Sequence, residues 1–203
     1  MSFDMYADEW DTEARVKRAK CISDEIGRVL TREKYETAME FGCGTGLISF
    51  NLLDRFEKAT LVDSSTGMID VLHKKILKYN VDNIEPLHVD VTSQGIQNRT
   101  FDAIYSSLVL HHIVGIEDIL REFYNLLNED GELCIVDIDE EDGRFHRKYP
   151  EFDGHNGFNH DELRGILESL GYKDIEIRTF YNGEKTFEGE KIDYSLFVLR
   201  AQK

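Results

Sequence analysis

The chain has 203 residues, a length typical of one domain with a sizeable hydrophobic core. Its 24 basic and 40 acidic residues give a formal net charge of −16, which would repel a polyanion and disfavours non-specific binding of RNA or DNA. The basic run at 15–20 has the pattern of a solvated helix face. We therefore expect a single domain whose partner is a small molecule or a protein.

Cysteine usage and apolar runs bear on the compartment. The three cysteines form no C-x-x-C pair, and no signal-peptide pattern accompanies them, so we expect no disulfide and a cytoplasmic location. The longest apolar run, 103–114, is too short to span a bilayer and contains serines and histidines. We expect no membrane span, and the sequence makes no prediction of oligomeric state.

Strand-like apolar runs alternate with segments of helical period, the signature of a parallel sheet covered by helices. Apolar spacings of three and four predict helices over 12–30, 47–55, 68–79 and 116–127. A capping-box-like start at Asn159 and a terminal glycine at Gly171 delimit a further helix, and 92–98 resembles a short one. The predicted strands are one that ends at Glu40, followed by 59–63, 84–89, 101–107, 131–137, 173–180 and 195–201.

The segment 40–46 reads Glu-Phe-Gly-Cys-Gly-Thr-Gly and lies between a predicted strand and a predicted helix. Alternate glycines let the backbone turn sharply and approach a ligand, and the N–H groups of a following helix favour an anion. A dinucleotide fingerprint needs G-x-G-x-x-G/A, but here the third glycine, Gly46, falls one place early. A Walker A sequence is absent. The pattern predicts a ligand site of another kind.

The order of these motifs resembles the class I S-adenosylmethionine-dependent methyltransferases. In that family an acid and G-x-G-x-G follow the first strand, as at 40–46, and acids end the second and third strands, as at Asp63 and Asp90. The N-terminal run 3–11 resembles the small-molecule branch, including ubiquinone- and menaquinone-biosynthesis-type enzymes. The resemblance implies an α/β, Rossmann-like seven-stranded sheet of order 3-2-1-4-5-7-6, with strand 7 antiparallel and helices on both faces.

The resemblance also implies a cofactor, S-adenosylmethionine, with S-adenosylhomocysteine as the product and a small molecule as the methyl acceptor. It assigns the ribose hydroxyls to Asp63, the adenine amino group to Asp90 and the cofactor's ammonium group to Glu40. The residues that we expect at the cofactor are Tyr6, Trp10, Glu40, Gly42, Cys43, Gly44, Gly46, Asp63, Ser64, Met68, Asp90, Val91 and Ser106.

Several of these residues have simpler alternative roles. Asp63 is also suited to cap the helix that starts near Thr66, and Asp90 is suited to be a turn acid before a short helix. Cys43 is more typical of packing than of a nucleophile. Tyr6 and Trp10 either close over the cofactor as a lid or pack at an exposed terminus.

The resemblance divides the domain, 1–203, into three parts. An N-terminal lid and helix occupy 1–30, the cofactor-binding core occupies 37–137, and an acceptor-pocket insertion occupies 138–160. Within the insertion, a His-x-Gly-Phe segment places His155 and Phe158 at the acceptor pocket. A metal site at 153–161 would lack an i,i+4 histidine pair and a third ligand, so we expect no metal.

Methyl transfer from a sulfonium is an in-line displacement, so the protein mainly holds donor and acceptor in reactive geometry. A general base is required only if the acceptor must lose a proton. His111 and His112, just beyond the fourth predicted strand, are the candidate bases, ahead of His155 and His160, although structural histidines are the commoner case. The alternative function is a non-catalytic S-adenosylmethionine-binding regulatory or partner protein with the same fold.

Overall fold

The computed structural model describes residues 3–96, 98–149 and 151–203. The strands are β1 (Tyr35–Phe41), β2 (Phe56–Asp63), β3 (Ile84–His88), β4 (Phe101–Ser107), β5 (Leu127–Ile138), β6 (Lys173–Phe187) and β7 (Glu190–Gln202). The α-helices are α1 (Glu13–Val29), α2 (Thr66–Tyr79), α3 (Val91–Gln94), α4 (Ile116–Leu126) and α5 (His160–Leu170).

The strands form one sheet of order β3-β2-β1-β4-β5-β7-β6. Strands β1 to β5 pair in parallel, whereas β7 is antiparallel to both of its neighbours. The predicted fold class, strand order and antiparallel seventh strand are confirmed. Among the described residues, no helix combines the length and apolar character needed to cross a bilayer.

Helices cover both faces of the sheet, as two neighbouring residues of β1 illustrate. Ala38 packs in one core cluster with Ile26 of α1 and Leu72 of α2. Met39 packs in a second cluster with Phe123 of α4. Successive strand side chains point to opposite faces, so the two clusters are the cores on the two sides of the sheet.

Helix ends agree with the sequence signals. Thr12 caps α1 by accepting from the Arg15 N–H, and Asn159 caps α5 by accepting from two backbone N–H groups. Gly171 ends α5 with a φ of 98°, a left-handed conformation that glycine adopts without strain. The predicted bounds of α1, α2, α4 and α5 are each right to within about two residues.

The predicted helix at 47–55 is wrong, because this segment forms two short 3₁₀ helices, Ser49–Asn51 and Leu53–Arg55. The Asn51 side-chain amide donates to the Leu47 carbonyl, and the Ser49 hydroxyl donates to Glu40. Such side-chain bonds compete with a regular helical ladder. Among the described residues 47–55, no regular α-helix therefore follows the glycine loop to supply the anion-binding N-terminus that the motif predicted.

The closing hairpin is longer than predicted. Pairing of β6 with β7 continues to Phe187 opposite Glu190, around a turn in which Glu188 and Gly189 both have positive φ. This geometry matches the twist of a two-residue hairpin. The prediction stopped short because much of the added ladder carries polar, solvent-facing side chains rather than an apolar run.

The N-terminal segment docks on the start of α2. It forms a 3₁₀ helix, Phe3–Glu9, in which Asp4 Oδ1 accepts from the Ser65 hydroxyl at 2.6 Å and from the Gly67 N–H at 2.9 Å. Ala7 is buried in the same contact. This docking holds the following residue, Trp10, beside the carboxyl ends of the central strands.

Glu132 on β5 is the hub of a buried polar network. It is 1% exposed and accepts from the Thr31 N–H and hydroxyl, from the Tyr35 hydroxyl and from Arg200 Nε at 2.6 Å. These partners lie after α1, on β1 and on β7. One carboxylate therefore links three parts of the chain that are far apart in sequence.

We expect Glu132→Ala to lower the free energy of unfolding by about 3–5 kcal/mol, because it leaves Arg200 and Tyr35 without their buried acceptor. Urea denaturation would measure the change. Glu117→Ala, which breaks an exposed i,i+4 pair with Arg121, is the control and should cost about 0.5 kcal/mol or less. Equal effects of the two variants would contradict a structural role for the buried carboxylate.

Candidate active site

A cavity of about 400 Å³ opens at the carboxyl ends of the central strands, within the range of ~300–1,000 Å³ typical of small-molecule sites. From β1 the chain first builds β2 and β3 on one side and then returns to place β4 on the other. Ligands of open α/β sheets bind at such a reversal of strand order. The cavity is therefore the candidate active site.

Most of the residues predicted from the motifs line this cavity. The predicted cofactor residues found there are Trp10, Glu40, Gly42, Gly44, Asp63, Ser64, Met68, Asp90 and Val91. They come from the N-terminal segment, from β1 and the loop after it, from the end of β2 through the start of α2, and from the junction of β3 and α3. The structure thus brings together side chains from four separate parts of the sequence.

Backbone conformation and close packing both explain the glycines of the loop after β1. A Cβ on Gly42 would lie 2.3 Å from a Val109 methyl carbon, so the close approach of the loop after β4 excludes a side chain. Gly44 has a φ of 52°, and a Cβ there would find Trp10 no closer than 3.8 Å. Both glycines have a positive φ, which glycine adopts without strain, and Gly42 is in addition too close to Val109 to carry a side chain.

The Asp63 carboxylate is fixed at the cavity wall by two backbone donors. The Gly44 N–H donates to Oδ2 at 2.7 Å, and the Ser65 N–H donates to Oδ1 at 2.8 Å. Each oxygen keeps a further lone pair for a ligand hydroxyl. Burial raises the pKa of Asp63 despite these donors. Ser65, not Asp63, caps α2 by accepting from the Met68 N–H, so the capping alternative is wrong.

Asp90 shows the geometry of its alternative role. Its Oδ1 accepts from the Thr92 N–H at 3.0 Å and from the Thr92 hydroxyl at 2.6 Å, which caps α3. Asp90 also lines the cavity. Contact with an adenine amino group remains a prediction for this side chain.

Glu40 is a buried acid at the end of β1. It is 2% exposed and accepts from the Ser49 hydroxyl, which in turn lies 2.6 Å from the Tyr105 hydroxyl. Burial raises the pKa of Glu40 to about 8, and the nearby charge of Asp63 adds to the rise. A cation placed in the cavity would favour the ionised form and bind more tightly to it.

Ser106 does not reach the cavity, although we expected it there. Its hydroxyl donates to the Phe41 carbonyl at 2.9 Å and is 1% exposed. Successive side chains of a strand alternate in direction, so the next residue, Ser107, lines the cavity instead. The apolar run of β4 did not by itself show which of the two serines points into the cavity.

Three other predicted cofactor residues also lie off the cavity wall. Cys43 is buried, and burial raises the pKa of its thiol well above the usual range, which excludes a reactive thiolate and leaves packing as its role. A Cβ on Gly46 would lie 2.8 Å from Leu72, so this glycine serves close packing. Tyr6 is 50% exposed and does not line the cavity, whereas Trp10 does.

The predicted acceptor-pocket residues are also placed elsewhere. The His155 N–H donates to the His111 carbonyl at 2.7 Å, and His155 Nε2 lies 2.9 Å from the Ile113 carbonyl. Phe158 is buried against Phe197. Neither side chain lines the cavity, because the loop after β5 packs behind the 110–113 turn. His155 thus braces that turn, and a role for His155 and Phe158 at the acceptor pocket stays a prediction.

The two candidate bases differ in position. His111 is 2% exposed, and its Nδ1 lies 2.5 Å from Asp137 Oδ1. It does not line the cavity. His112 does, and burial together with the neighbouring His111 lowers the pKa of His112 to about 4. His112 is therefore a neutral imidazole near pH 7.

Sequence reasoning missed two cations of the cavity. Arg15 and Arg18 of α1 both line it, with the Arg15 guanidinium 3.9 Å above the Trp10 ring and Arg18 Nη1 3.3 Å from the Tyr194 hydroxyl. The run 15–20 was interpreted as a solvated face. The missed signal is the i,i+3 spacing of these arginines next to the buried Ala19 and Ile22.

The backbone is strained at the residue that follows β4. Leu108, just after β4, has a φ of 58°, which is uncommon for a residue with a side chain. Its N–H donates to the Val136 carbonyl at 2.9 Å, and its side chain lines the cavity. Such strain concentrates at ligand sites, which agrees with a function at this edge.

Comparison with known proteins agrees with this geometry. Residues 38–131 match the model of a family described as a methyltransferase domain. An uncharacterized methyltransferase of Schizosaccharomyces pombe is 25% identical over 153 residues, covering 68% of this chain and 54% of the relative. The chain therefore resembles class I S-adenosylmethionine-dependent methyltransferases, and the family model covers slightly less than half of it. An uncharacterized methyltransferase of Mycobacterium tuberculosis is 30% identical over 101 residues, half of each chain.

Solved structures of methyltransferases share the fold. A Haemonchus contortus phosphoethanolamine N-methyltransferase 2, in complex with S-adenosyl-L-methionine, superposes with a TM-score of 0.74 at 14% identity and covers 100% of this chain and 60% of its own. A S-adenosylmethionine-dependent methyltransferase from Aquifex aeolicus gives 0.69 at 19% identity, with 98% and 97% covered. The chain spans about half the length of the curated relatives it matches.

The raised pKa of Glu40 predicts that the stability of this protein depends on pH. The unfolded chain releases the Glu40 proton near pH 4.5, whereas the folded chain holds it until about 8. Between these values the folded state binds more protons, so stability falls as the pH rises. We expect Glu40→Gln to reduce the loss of melting temperature between pH 5 and pH 8. If the melting temperatures of wild type and variant fell equally between pH 5 and pH 8, a buried, protonated Glu40 would be contradicted.

Proposed function

We propose that the chain is an S-adenosylmethionine-dependent methyltransferase that transfers a methyl group to a small-molecule acceptor by in-line displacement. The observation that carries the proposal is the Asp63 carboxylate, held by the Gly44 and Ser65 N–H groups at the wall of the cavity. A carboxylate fixed in this way can accept two hydroxyls of a ribose at once. The match of residues 38–131 to a methyltransferase-domain model supports this role for Asp63.

The remaining cofactor contacts follow from charge and position. Glu40, buried at the end of β1, would face the cationic ammonium group, and the cofactor's charge would shift Glu40 toward its ionised form. Gly44 lines this end of the cavity. Trp10, stacked with Arg15, would cover the cofactor and exclude water from the transfer. Asp90 and Val91 would bound the adenine.

The acceptor is proposed to be small and to carry a negative group. The net charge of −16 disfavours polyanions, yet Arg15 and Arg18 bring two guanidinium groups to the cavity. Guanidinium groups pair well with carboxylates and phosphates. The chain supplies a neutral imidazole, His112, at the same cavity, where it would accept a proton if the acceptor must lose one.

The fold alone does not decide the reaction, because one structural neighbour, with a TM-score of 0.69, is a [4+2]-cyclase. A non-catalytic cofactor-binding protein is the other alternative. The two arginines that line the same cavity favour a site that also binds an anionic acceptor. Transfer of the methyl group is the property that separates the proposal from both alternatives.

The cofactor part of the proposal is tested by calorimetric titration with S-adenosylhomocysteine. We expect wild type to bind it and Asp63→Ala to weaken the binding at least tenfold, or about 1.4 kcal/mol, because the ribose loses its acceptor. Asp70→Ala, on the exposed side of α2, is the control and should bind like wild type. Unchanged affinity in Asp63→Ala, or binding of NAD instead, would refute the site assignment.

The catalytic part is tested by methyl transfer from labelled S-adenosylmethionine. We expect a labelled product with members of a panel of small carboxylates and phosphates, and none with RNA. Arg18→Met should raise the KM for the anionic acceptor roughly tenfold or more, because a charge-assisted contact is lost. Labelling of RNA would refute the small-molecule proposal, and cofactor binding without any labelled product would favour the non-catalytic alternative.

A further inference from the structure

Three histidines from two loops meet beside the cavity. His111 and His112 lie in the turn after β4, and His146 lies in the loop after β5. Each offers one ring nitrogen, and the three nitrogens lie within 4.8 Å of one another. The ring centroids are 4.2, 4.9 and 5.6 Å apart. The three rings thus lie close to one another in a single cluster.

The protonation of His111 is set by its carboxylate partner. Asp137 is 0% exposed and accepts from the His111 and Ile138 N–H groups as well as lying 2.5 Å from His111 Nδ1. Nδ1 therefore carries the hydrogen, and Nε2 is the ring nitrogen that could bind a metal ion. A carboxylate behind a histidine is the usual outer partner of a metal ligand, because it orients the ring and increases its basicity.

His146 has a polar atom that the surrounding protein does not satisfy. The residue is 6% exposed, and its ring stacks on Phe152 at 3.7 Å. Among the described residues, none offers a hydrogen-bond partner to the buried His146 Nδ1. A buried polar atom without a partner costs about 1–3 kcal/mol. This cost indicates that the ring is placed for a ligand rather than for packing alone.

We propose that His111, His112 and His146 bind a divalent transition-metal ion of the zinc type. Three protein ligands with one open position are the pattern of catalytic zinc sites, and imidazole nitrogen suits Zn²⁺, whereas Mg²⁺ and Ca²⁺ take oxygen ligands. Zn–N bonds of about 2.1 Å place tetrahedral ligand nitrogens roughly 3.4 Å apart. The three nitrogens need only a small inward adjustment of their rings.

The loop after β5 supports this site from behind. The His155 N–H donates to the His111 carbonyl, and a Cβ on Gly154 would lie 2.1 Å from the same carbonyl oxygen. Only glycine allows the loop to approach the histidine turn this closely. The segment at 152–155 thus holds both the turn that carries His111 and the Phe152 ring that stacks on His146.

The position of His112 connects the ion to the cavity, since this residue belongs to both. If the proposed methyl transfer is correct, on which this consequence rests, the open coordination position lies next to the acceptor. A metal-bound His112 has given up its lone pair, so the ion rather than the imidazole would favour the deprotonated acceptor. The acceptor class then includes hydroxyl or thiol compounds that also carry an anionic group.

Metal binding is tested directly on tag-free, chelator-treated protein, with Zn²⁺ in calorimetry and Co²⁺ in visible absorption. We expect one ion per chain and the intense absorption of four-coordinate Co²⁺. His146→Gln should weaken the affinity roughly 100-fold or more, and Asp137→Asn roughly 10- to 100-fold. His73→Gln, an exposed histidine of α2, should bind the ion like wild type.

Absence of stoichiometric binding, or equal binding by wild type and His146→Gln, would overturn the metal site and leave three packed histidines. If His146→Gln fails to fold, judged by circular dichroism, His112→Gln provides the same comparison at a less buried position. Titration of the same samples with S-adenosylhomocysteine keeps the two proposals apart. If wild type binds S-adenosylhomocysteine but no metal ion, only the metal site is refuted. If wild type does not bind S-adenosylhomocysteine, the proposed function is refuted.

Discussion

The hydrogen bond from the Gly44 N–H to Asp63 is the contact on which the site depends. It joins the loop after β1 to the end of β2, at the place where the strand order reverses. The bond requires Gly44 to adopt a positive φ, which a glycine does without strain. The same carboxylate accepts from the Ser65 N–H at the start of α2. One side chain therefore sets the relative position of the loop, the strand and the helix.

Charge is distributed unevenly between the surface and the cavity. The chain carries a net charge of −16, but the cavity combines Arg15 and Arg18 with two buried acids, Glu40 and Asp63. Burial raises the pKa of both acids, and a cation in the cavity would favour their ionised forms. A cavity of this kind suits a cationic group beside the acids and an anionic group beside the arginines.

The loop after β5 acts on the cavity from behind. It packs against the turn after β4 and brings His146 against His111 and His112. The loop thus shapes the site indirectly, through the histidines that it positions. This arrangement makes the cluster of three histidines the chemically distinctive part of this chain.

The sequence by itself determined the alternation of strands and helices, the bounds of α1, α2, α4 and α5, and the glycine loop with its acids, because apolar periodicity, caps and short motifs are local signals. The strand order was implied by the family resemblance and not by these local signals. Tertiary structure decided which neighbours face the cavity. Ser107 replaces Ser106 because the strand alternates, and Arg18 lies in the cavity because α1 packs across it. His146 joins His111 only because two loops distant in the chain fold against each other, and no local pattern records such a contact.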